Sequence, residues 1–556
     1  MNAYWPEGMP ATLDYPELTV GELLTTAARL YGDRTAVVDG PERLTFAELL
    51  ARAAAFAHGL RDAGVRDGDV VLLHLPNSAW FLIGYYGTLL AGATVSLANP
   101  LQPAPALRDQ LLDTGAVLAL SHPAHVATLR EAGPDLRTIV VVPPHADPPP
   151  AGTVPLAGFV AGRPATAPET GVTPDDAAHI AYTGGTTGVP KGVRVLHRNV
   201  VANVAQMTAW RAAHLLTTGD GEPRLRPIPG LDDAGVHPGD GVTVMVSPLF
   251  HAHALIHVNF LLLCGTTIVL TGRFTPELLL AAIERHRATY VTGSPAMWHA
   301  LLDSPELDAR DLSSVRVVSS GAAPIDPAGL QALAAAFPNA MVGEGYGLTE
   351  ATCLVTAAPL LRGARRKPGS VGVPIFDTAV EVRSIGDGAA VLGPNEPGEL
   401  WVRGPQVTPG YLNRPEATAE QFAGGWLRTG DIGLVDEEGF VHIVDRAKDM
   451  LIYKGYNVYP RELEDILRGH PGVAAAAVVA RPVPGAGEEP VAFVVPRQGT
   501  VVHPEAVMAF VAERVVPYKK IRAVHVIDAL PTSPAGKILK AELRARIAQP
   551  PTTVRS

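Results

Sequence analysis

"AYTGGTTGVPKGVRV", residues Ala181 to Val195, packs four glycines, three threonines and one proline into fifteen positions around Lys191. Glycine lets backbone N–H groups approach a phosphate closely and a neighbouring ammonium supplies charge, so the composition points to phosphate holding. The Walker pattern does not fit: it needs glycine immediately before the lysine and serine or threonine after it, whereas Lys191 stands between Pro190 and Gly192. The flanks disagree with it too. "AHIAYT" before the loop and "GVRVL" after it read as strands, and a helix begins only near Asn199 in "NVVANVAQMTAW". A loop between two strands is a hairpin and offers no helix N-terminus to phosphate. Taken alone, the stretch fits a non-Walker phosphate loop or a plain flexible turn.

The surrounding chain is α/β. At 556 residues it is too long for one hydrophobic core, which predicts two or more domains. Hydrophobic residues are 47% and charged residues 18%, a globular balance. "LTFAELLARAAAFAHGLRDAGV" has helical spacing, "DVVLLHL" reads as a strand, "SAWFLIGYYGTLLAGA" as a second helix and "TVSLA" as a second strand. That alternation favours a largely parallel sheet covered by helices. Residues 143–174 and 217–241 lack usable periodicity and read as loops, the latter as a long surface excursion. "DIGLV" and "FVHIV" flank the turn "DEEG" as a hairpin; beyond Arg446 the text restarts with the helix "YPRELEDILRGH" and the strand-like "AAAAVVA", "VAFVV" and "AVHVI". The expected division is a large domain over residues 1–446 and a small α+β domain over 447–556.

Several function classes fall away. A net charge of −10 argues against general nucleic-acid binding, which draws its affinity from cationic side chains on phosphates. The only two cysteines, Cys264 and Cys353, cannot form a cluster of paired metal ligands and read as buried small side chains in a reducing cytoplasm. The N-terminus has no basic start followed by an apolar run, and the most apolar stretch, "VNFLLLCGTTIVL" (Val258 to Leu270), is short of a membrane span and reads as a buried core element.

Six further motifs follow the loop in order: "VSSGAAPI" (Val318 to Ile325), "GEGYGLTEAT" (Gly343 to Thr352), "GELWVRG" (Gly398 to Gly404), "WLRTGDIG" (Trp426 to Gly433), "VDRAKDMLIYKGYNVYP" (Val444 to Pro460) and "PTSPAGKILK" (Pro531 to Lys540). "GEGYG" is not a dinucleotide fingerprint, because Leu348 occupies the position of the third glycine. Together the seven motifs closely resemble the acyl-adenylate-forming (ANL) superfamily of acyl-CoA synthetases, peptide-synthetase adenylation domains and luciferases, over roughly residues 20 to 545. The resemblance implies a large N-terminal adenylation domain of layered helices and sheets, and a small mobile C-terminal domain. It also implies that ATP and a carboxylic acid form acyl-AMP and pyrophosphate before the acyl group passes to a thiol.

By that resemblance, Thr183, Gly184, Gly185, Thr186, Thr187, Gly188 and Lys191 wrap the outer phosphates of ATP, and the loop opens to release pyrophosphate. Glu350, with Thr186, is the implied Mg²⁺ ligand. Tyr346 stacks on adenine within Gly345, Gly347 and Thr349, and Gly321, Ala322 and Ala323 line the other side of the base. Asp431 accepts from both ribose hydroxyls, Arg446 is a second ribose contact, and Lys448 is the hinge. Lys537 bridges carboxylate and α-phosphate during adenylation. Rotation of the small domain then replaces it with "YKGYNVYP", whose Gly455 lines a pantetheine channel.

The acid is less legible. "VSPLFHAHALIHVNFLLL" matches the entrance of the acyl pocket, with His251 as its substrate contact and His253 as a weaker one. No aspartate stands between Val246 and Leu263 to hold an α-ammonium, which argues against an amino acid. Luciferases and many hydroxycinnamate ligases carry a lysine beside "YKG" where this chain has Ile452, a departure from both. A fatty or aryl-alkenoic acid with CoA as acceptor is the leading reading, as in free-standing ligases with a lysine-rich segment like "PYKKI". Loading of a separate phosphopantetheine carrier protein, adenylation of nitrite to diazotise an arylamine, and a non-catalytic binding scaffold are the alternatives. The 217–241 excursion is read as a cover for the pocket or as a contact between two copies in a homodimer.

Overall fold

The computed structural model describes residues 5–133, 135–144, 148–183, 190–323, 325–386, 388–453, 456–483, 487–533 and 537–548. Packing gathers them into two compact units: one takes in Met1–Gly184, Pro190–Ala379 and Val402–Leu427, the other Val380–Trp401 and Arg428–Ser556. By packing, the Asp431–Arg446 hairpin groups with the C-terminal residues.

The first unit holds two large sheets. A seven-stranded sheet runs Val154–Pro155, Thr138–Val141, Leu118–Ser121, Val70–His74, Thr94–Leu97, Ala177–Tyr182, Gly192–Leu196. Only its last pair is antiparallel, Tyr182 standing opposite Gly192, so the glycine-rich loop does join two strands of a hairpin at the sheet edge. The helices before and after the strand Val70–His74 are where the spacing predicts them. Phe46–Asp62 starts at a capping box in which Thr45 Oγ1 accepts from Glu48 N at 3.1 Å and the Glu48 carboxylate accepts from Thr45 N at 2.8 Å. Ala79–Leu90 starts at Ser78, whose Oγ accepts from Phe81 N at 3.3 Å.

A nine-stranded sheet runs Val373–Pro374, Leu354–Ala357, Met341–Gly347, Val317–Ser320, Tyr290–Gly293, Val242–Met245, Thr267–Leu270, Thr35–Asp39, Glu42–Thr45. Its parallel core places the ends of Val317–Ser320 and Met341–Gly347 side by side, Ser320 opposite Glu344. Ligands of open α/β sheets bind beyond such strand ends. The helix His197–Ala212 is buried nearly all round. Its polar residues therefore need internal partners: Asn199 donates to the carbonyls of Pro405 and Val407 at 2.9 and 3.1 Å, and Asn203 to Leu354 at 3.0 Å.

Three sequence readings need correction. "VNFLLLCGTTIVL" is two elements, the end of the helix Ala252–Leu263 and the strand Thr267–Leu270, turned at Gly265, whose φ of 72° suits glycine. Residues 143–174 include a short strand, Val154–Pro155, and a short helix, Leu156–Val160. The excursion contains an antiparallel hairpin, His214–Gly219 with Glu222–Pro227, closed by Asp220-Gly221 at φ 53° and 82°. Asp-Gly at positive φ is the favoured two-residue hairpin turn. The rest of the excursion packs beside the first residues of the central strands: Val236 N donates to Arg211 O at 3.0 Å and His237 Nδ1 lies 2.6 Å from Arg316, the residue before Val317–Ser320.

In the second unit, Asp431–Val435 pairs antiparallel with Val441–Arg446 across the expected turn, where Asp436 Oδ1 accepts from Glu438 N and Phe440 N at 3.0 and 2.9 Å. The helix Pro460–Arg468 and the strands Val473–Val483, Gly487–Pro496 and Ala523–Val526 follow the predicted order. Their core is built on Leu451, Leu463, Leu467, Val478, Val494 and Val507.

No helix among the described residues is long and apolar enough to cross a membrane. Both cysteine thiols are buried, as expected, and burial pushes each up to about 12, which leaves them unreactive. Burial also pushes His74, His197 and His253 down to about 4 and His179 to about 3. The unfolded chain takes up protons at these sites near pH 6.5, well above the folded values. Their contribution to stability is therefore complete above pH 6.5 and is lost as pH falls toward 4. Denaturant midpoints should drop by the equivalent of a few kcal/mol, roughly, between pH 7 and pH 5; an unchanged midpoint would show that these imidazoles are not buried neutral.

Candidate active site

The hairpin root is closed by Thr183 N donating to Lys191 O at 3.0 Å. Gly184, Gly185, Thr186, Thr187 and Gly188 lie outside the described residues, so the structure shows the two ends of the predicted phosphate loop. A third segment runs along the outer edge of the hairpin: Arg194 N donates to Gly410 O at 3.0 Å and Leu412 N to Gly192 O at 2.8 Å. This pairing presents Tyr411. Lys191 Nζ sits 4.8 Å from the centre of its ring, and its hydroxyl donates to Glu350 Oε1 at 2.8 Å. One tyrosine thus joins the predicted phosphate lysine to the predicted metal ligand.

Glu350 is held from behind. It lies in the single 3₁₀ turn Thr349–Ala351, and its carbonyl accepts from both Thr408 N and Thr408 Oγ1 at 2.9 Å. The next turn residue, Thr352, is at φ 60°, a strained conformation for a β-branched residue, and its Oγ1 donates to Gln406 O at 2.7 Å. These contacts fix the direction of the carboxylate. Among the described residues no group of three or more His, Cys, Asp or Glu side chains could enclose a metal ion. A single carboxylate beside a phosphate loop still fits Mg²⁺, which keeps waters and takes substrate phosphate oxygens as ligands.

Gly345, Tyr346 and Gly347 end the strand Met341–Gly347, and Gly321, Ala322 and Ala323 follow the adjacent strand, so the two motifs predicted to enclose adenine are neighbours. Gly347 cannot be replaced without moving backbone, because a Cβ there would fall 1.5 Å from the carbonyl oxygen of Cys353. Glu344, buried between the motifs, accepts from Ile325 N at 3.3 Å and ties the 321–325 loop to the strand. His251 caps the helix Ala252–Leu263 and its ring lies 4.7 Å from that of Phe250. His253, the second residue of that helix, faces the second motif: a Cβ on Gly321 would come within 2.9 Å of its Nε2. Burial first, then Arg211 and His251, hold His253 near 4 and therefore neutral at pH 7.

In the second unit, Asp431 and Arg446 stand directly opposite each other across the strand pair, with Arg446 Nε 3.3 Å from Asp431 Oδ1. Burial and then Arg446 hold the Lys448 ammonium below its usual range. Gly455 lies outside the described residues. Lys537 closes a loop whose ends are pinned by Ser533 N donating to Lys537 O at 2.8 Å and by bridging of Thr532 to Ile538, and its side chain is exposed. The other lysine of that motif is different: Lys540 is partly buried, and Glu464 at 2.8 Å, with Asp445 and Asp449, holds its ammonium charged.

Sequence reading missed Tyr411, Thr408 and Glu344. "VTPGYLN" carries no motif, and only the pairing of residues 410–412 with the hairpin edge gives Tyr411 its place.

Two family models match the chain: that of the AMP-binding enzymes over residues 24–412 and that of the AMP-binding enzyme C-terminal domain over 462–537. The chain is 38% identical to 4-coumarate–CoA ligase 2 of Oryza sativa subsp. japonica, over 91% of this chain and 88% of that protein. Among solved structures, ATP-bound MatB from Rhodopseudomonas palustris is 27% identical with a TM-score of 0.83, over 95% of this chain and 99% of that one. The amide bond synthetase McbA from Marinactinospora thermotolerans is 28% identical with a TM-score of 0.79, over 95% and 100%. The departure at Ile452 does not remove the chain from relatives of the hydroxycinnamate type.

Proposed function

The chain belongs to the AMP-binding enzyme family, and from that premise we propose that it is an AMP-forming acid–thiol ligase that activates an aryl-alkenoic acid and passes it to CoA. The observation that carries this reading is the meeting of Lys191 and Glu350 on Tyr411 at the root of the glycine-rich hairpin. The 4-coumarate–CoA ligase relatives support the class of acid and CoA in preference to a carrier protein.

A carboxylate is a poor acyl donor because oxide is a poor leaving group. Attack by its oxygen on the α-phosphorus of ATP forms the mixed anhydride and breaks the bond to the β-phosphate oxygen, releasing pyrophosphate. The CoA sulfur then attacks the acyl carbon and AMP leaves. Little of this is covalent chemistry for the protein, which positions and neutralises. Lys191 and Thr183 bind the outer phosphates with the loop residues 184–188, and Mg²⁺, when bound, would neutralise phosphate charge. Glu350 would hold that ion with Thr186, and Tyr411 and Thr408 orient the carboxylate. Tyr346, Gly345, Gly347, Thr349 and the 321–323 segment receive the base, Asp431 and Arg446 the ribose. Lys537 brings a mobile charge to the carboxylate and α-phosphate. Residues 447–556 form the moving part about Lys448, which brings Gly455 to the pantetheine arm for the second step. His251 and His253 border the acyl group, and the reaction takes place in the cytoplasm.

Pyrophosphate release, measured across fatty, cinnamic and benzoic acids with and without CoA, tests this reading. Release with cinnamic-type acids, completed to AMP and a thioester only when CoA is present, is expected. Release of inorganic phosphate with ADP, or no acid-dependent release from any acid, would contradict it.

A further inference from the structure

A buried polar cluster beneath these loops has no part in the chemistry just described. Arg211, one residue before the end of the helix His197–Ala212, is 2% exposed. Its Nη1 donates to the hydroxyl of Tyr290 and, at 3.4 Å, to Ser319 Oγ, and lies 3.1 Å from His257 Nε2. A guanidinium only donates, so His257 accepts through Nε2 and carries its proton on Nδ1, which donates to His253 O at 2.7 Å. The Nε of Arg211 is buried with no hydrogen-bond partner. No carboxylate among the described residues pairs with Arg211. The phenol of Tyr290 and the thiol of Cys353, both buried, stay neutral, and so does His253.

A full cation kept in a protein interior on neutral acceptors, with one N–H unsatisfied, is costly unless an anion completes it. The position of the guanidinium says where that anion would come from. A Cβ on Gly345 would lie 3.6 Å from Arg211 Nη2, and one on Gly321 would lie 2.9 Å from His253 Nε2. Arg211 and His253 therefore sit directly behind Gly345 and Gly321 of the two nucleotide motifs, with His253 in the acyl-pocket segment. A neutral aryl tail would leave the charge uncompensated; an anionic one would satisfy it through a charge-assisted hydrogen bond.

We propose that the acid activated by this chain carries a second carboxylate at its far end, and that Arg211 receives it, with His257 and Tyr290 holding the guanidinium in place. This deepens the acid-activating reading above and rests on it. The far carboxylate is not consumed: it anchors the acid so that the other carboxylate faces ATP.

The test compares three acids of one shape, 4-carboxycinnamic acid, its distal methyl ester and 4-methylcinnamic acid, by pyrophosphate release with wild-type enzyme and R211M. The wild type should favour the diacid over the ester by about a hundredfold in kcat/KM, and R211M should lose or invert that preference with the KM for ATP unchanged. Should R211M fail to fold, the wild-type preference between diacid and ester decides, because the two differ only in distal charge. Turnover of the neutral acids with the diacid rejected, or an unchanged preference in a folded R211M, would overturn the role of Arg211 and leave the ligase reading standing. Release with none of the acids in a wider panel would overturn both.

Discussion

Replacing Lys537 with alanine is expected to slow acyl-AMP formation by at least about a hundredfold, the size of effect seen when a preorganised donor to developing charge is lost. Thioester formation from supplied acyl-AMP should stay near the wild-type rate. The split follows from the chemistry: negative charge gathers on the α-phosphate and the attacking carboxylate only in the first step, and a lysine ammonium is a point charge that can serve one step and leave the other. Lys540 provides an internal control. It is partly buried and paired with the buried Glu464, so K540A should lower the unfolding midpoint and reduce both half-reactions in proportion to the folded fraction. An equal loss of both half-reactions in a fully folded K537A would remove Lys537 from the adenylation step.

The second large effect is expected at Asp431. In D431N one oxygen acceptor becomes a donor, so hydrogen bonds from the two ribose hydroxyls to a carboxylate cannot both be kept. At about 1.5–3 kcal/mol for each hydrogen bond to a charged group, kcat/KM for ATP should fall by roughly a hundredfold or more. The side chain keeps its size on a strand opposite Arg446, so folding should change little. With 2′-deoxy-ATP the wild type should lose activity and D431N should lose little more, because the partner is already gone. Fully additive losses from the two changes would show that Asp431 does not contact the ribose.

The hairpin at residues 177–196 was legible because both flanks alternate as strands and Lys191 breaks the Walker spacing; the structure has Tyr182 opposite Gly192. The helix at 46–62 and the C-terminal strands were legible for the same local reasons, capping and periodicity. Motif order carried the family, and the 24–412 and 462–537 matches agree with it. What escaped the sequence was non-local. Tyr411 acts through a strand-like pairing with residues more than two hundred positions earlier, and nothing in "PGYLN" announces that partner. Arg211 lay at the end of a helix whose reading stopped at Trp210, and a charged residue there reads as solvated until the surrounding helices bury it. The excursion, by contrast, held its own signal in Asp220-Gly221, which aperiodic neighbours rich in glycine and proline concealed.

The central claim is that a carboxylate oxygen attacks the α-phosphorus of ATP, and isotope transfer tests it most directly. A cinnamic-type acid labelled with ¹⁸O in both carboxylate oxygens, incubated with the enzyme, ATP, Mg²⁺ and CoA, should deliver one label to the phosphate of AMP. The other should remain in the thioester carbonyl. Label in inorganic phosphate alongside ADP, or thioester formation with no label in AMP, would contradict the account.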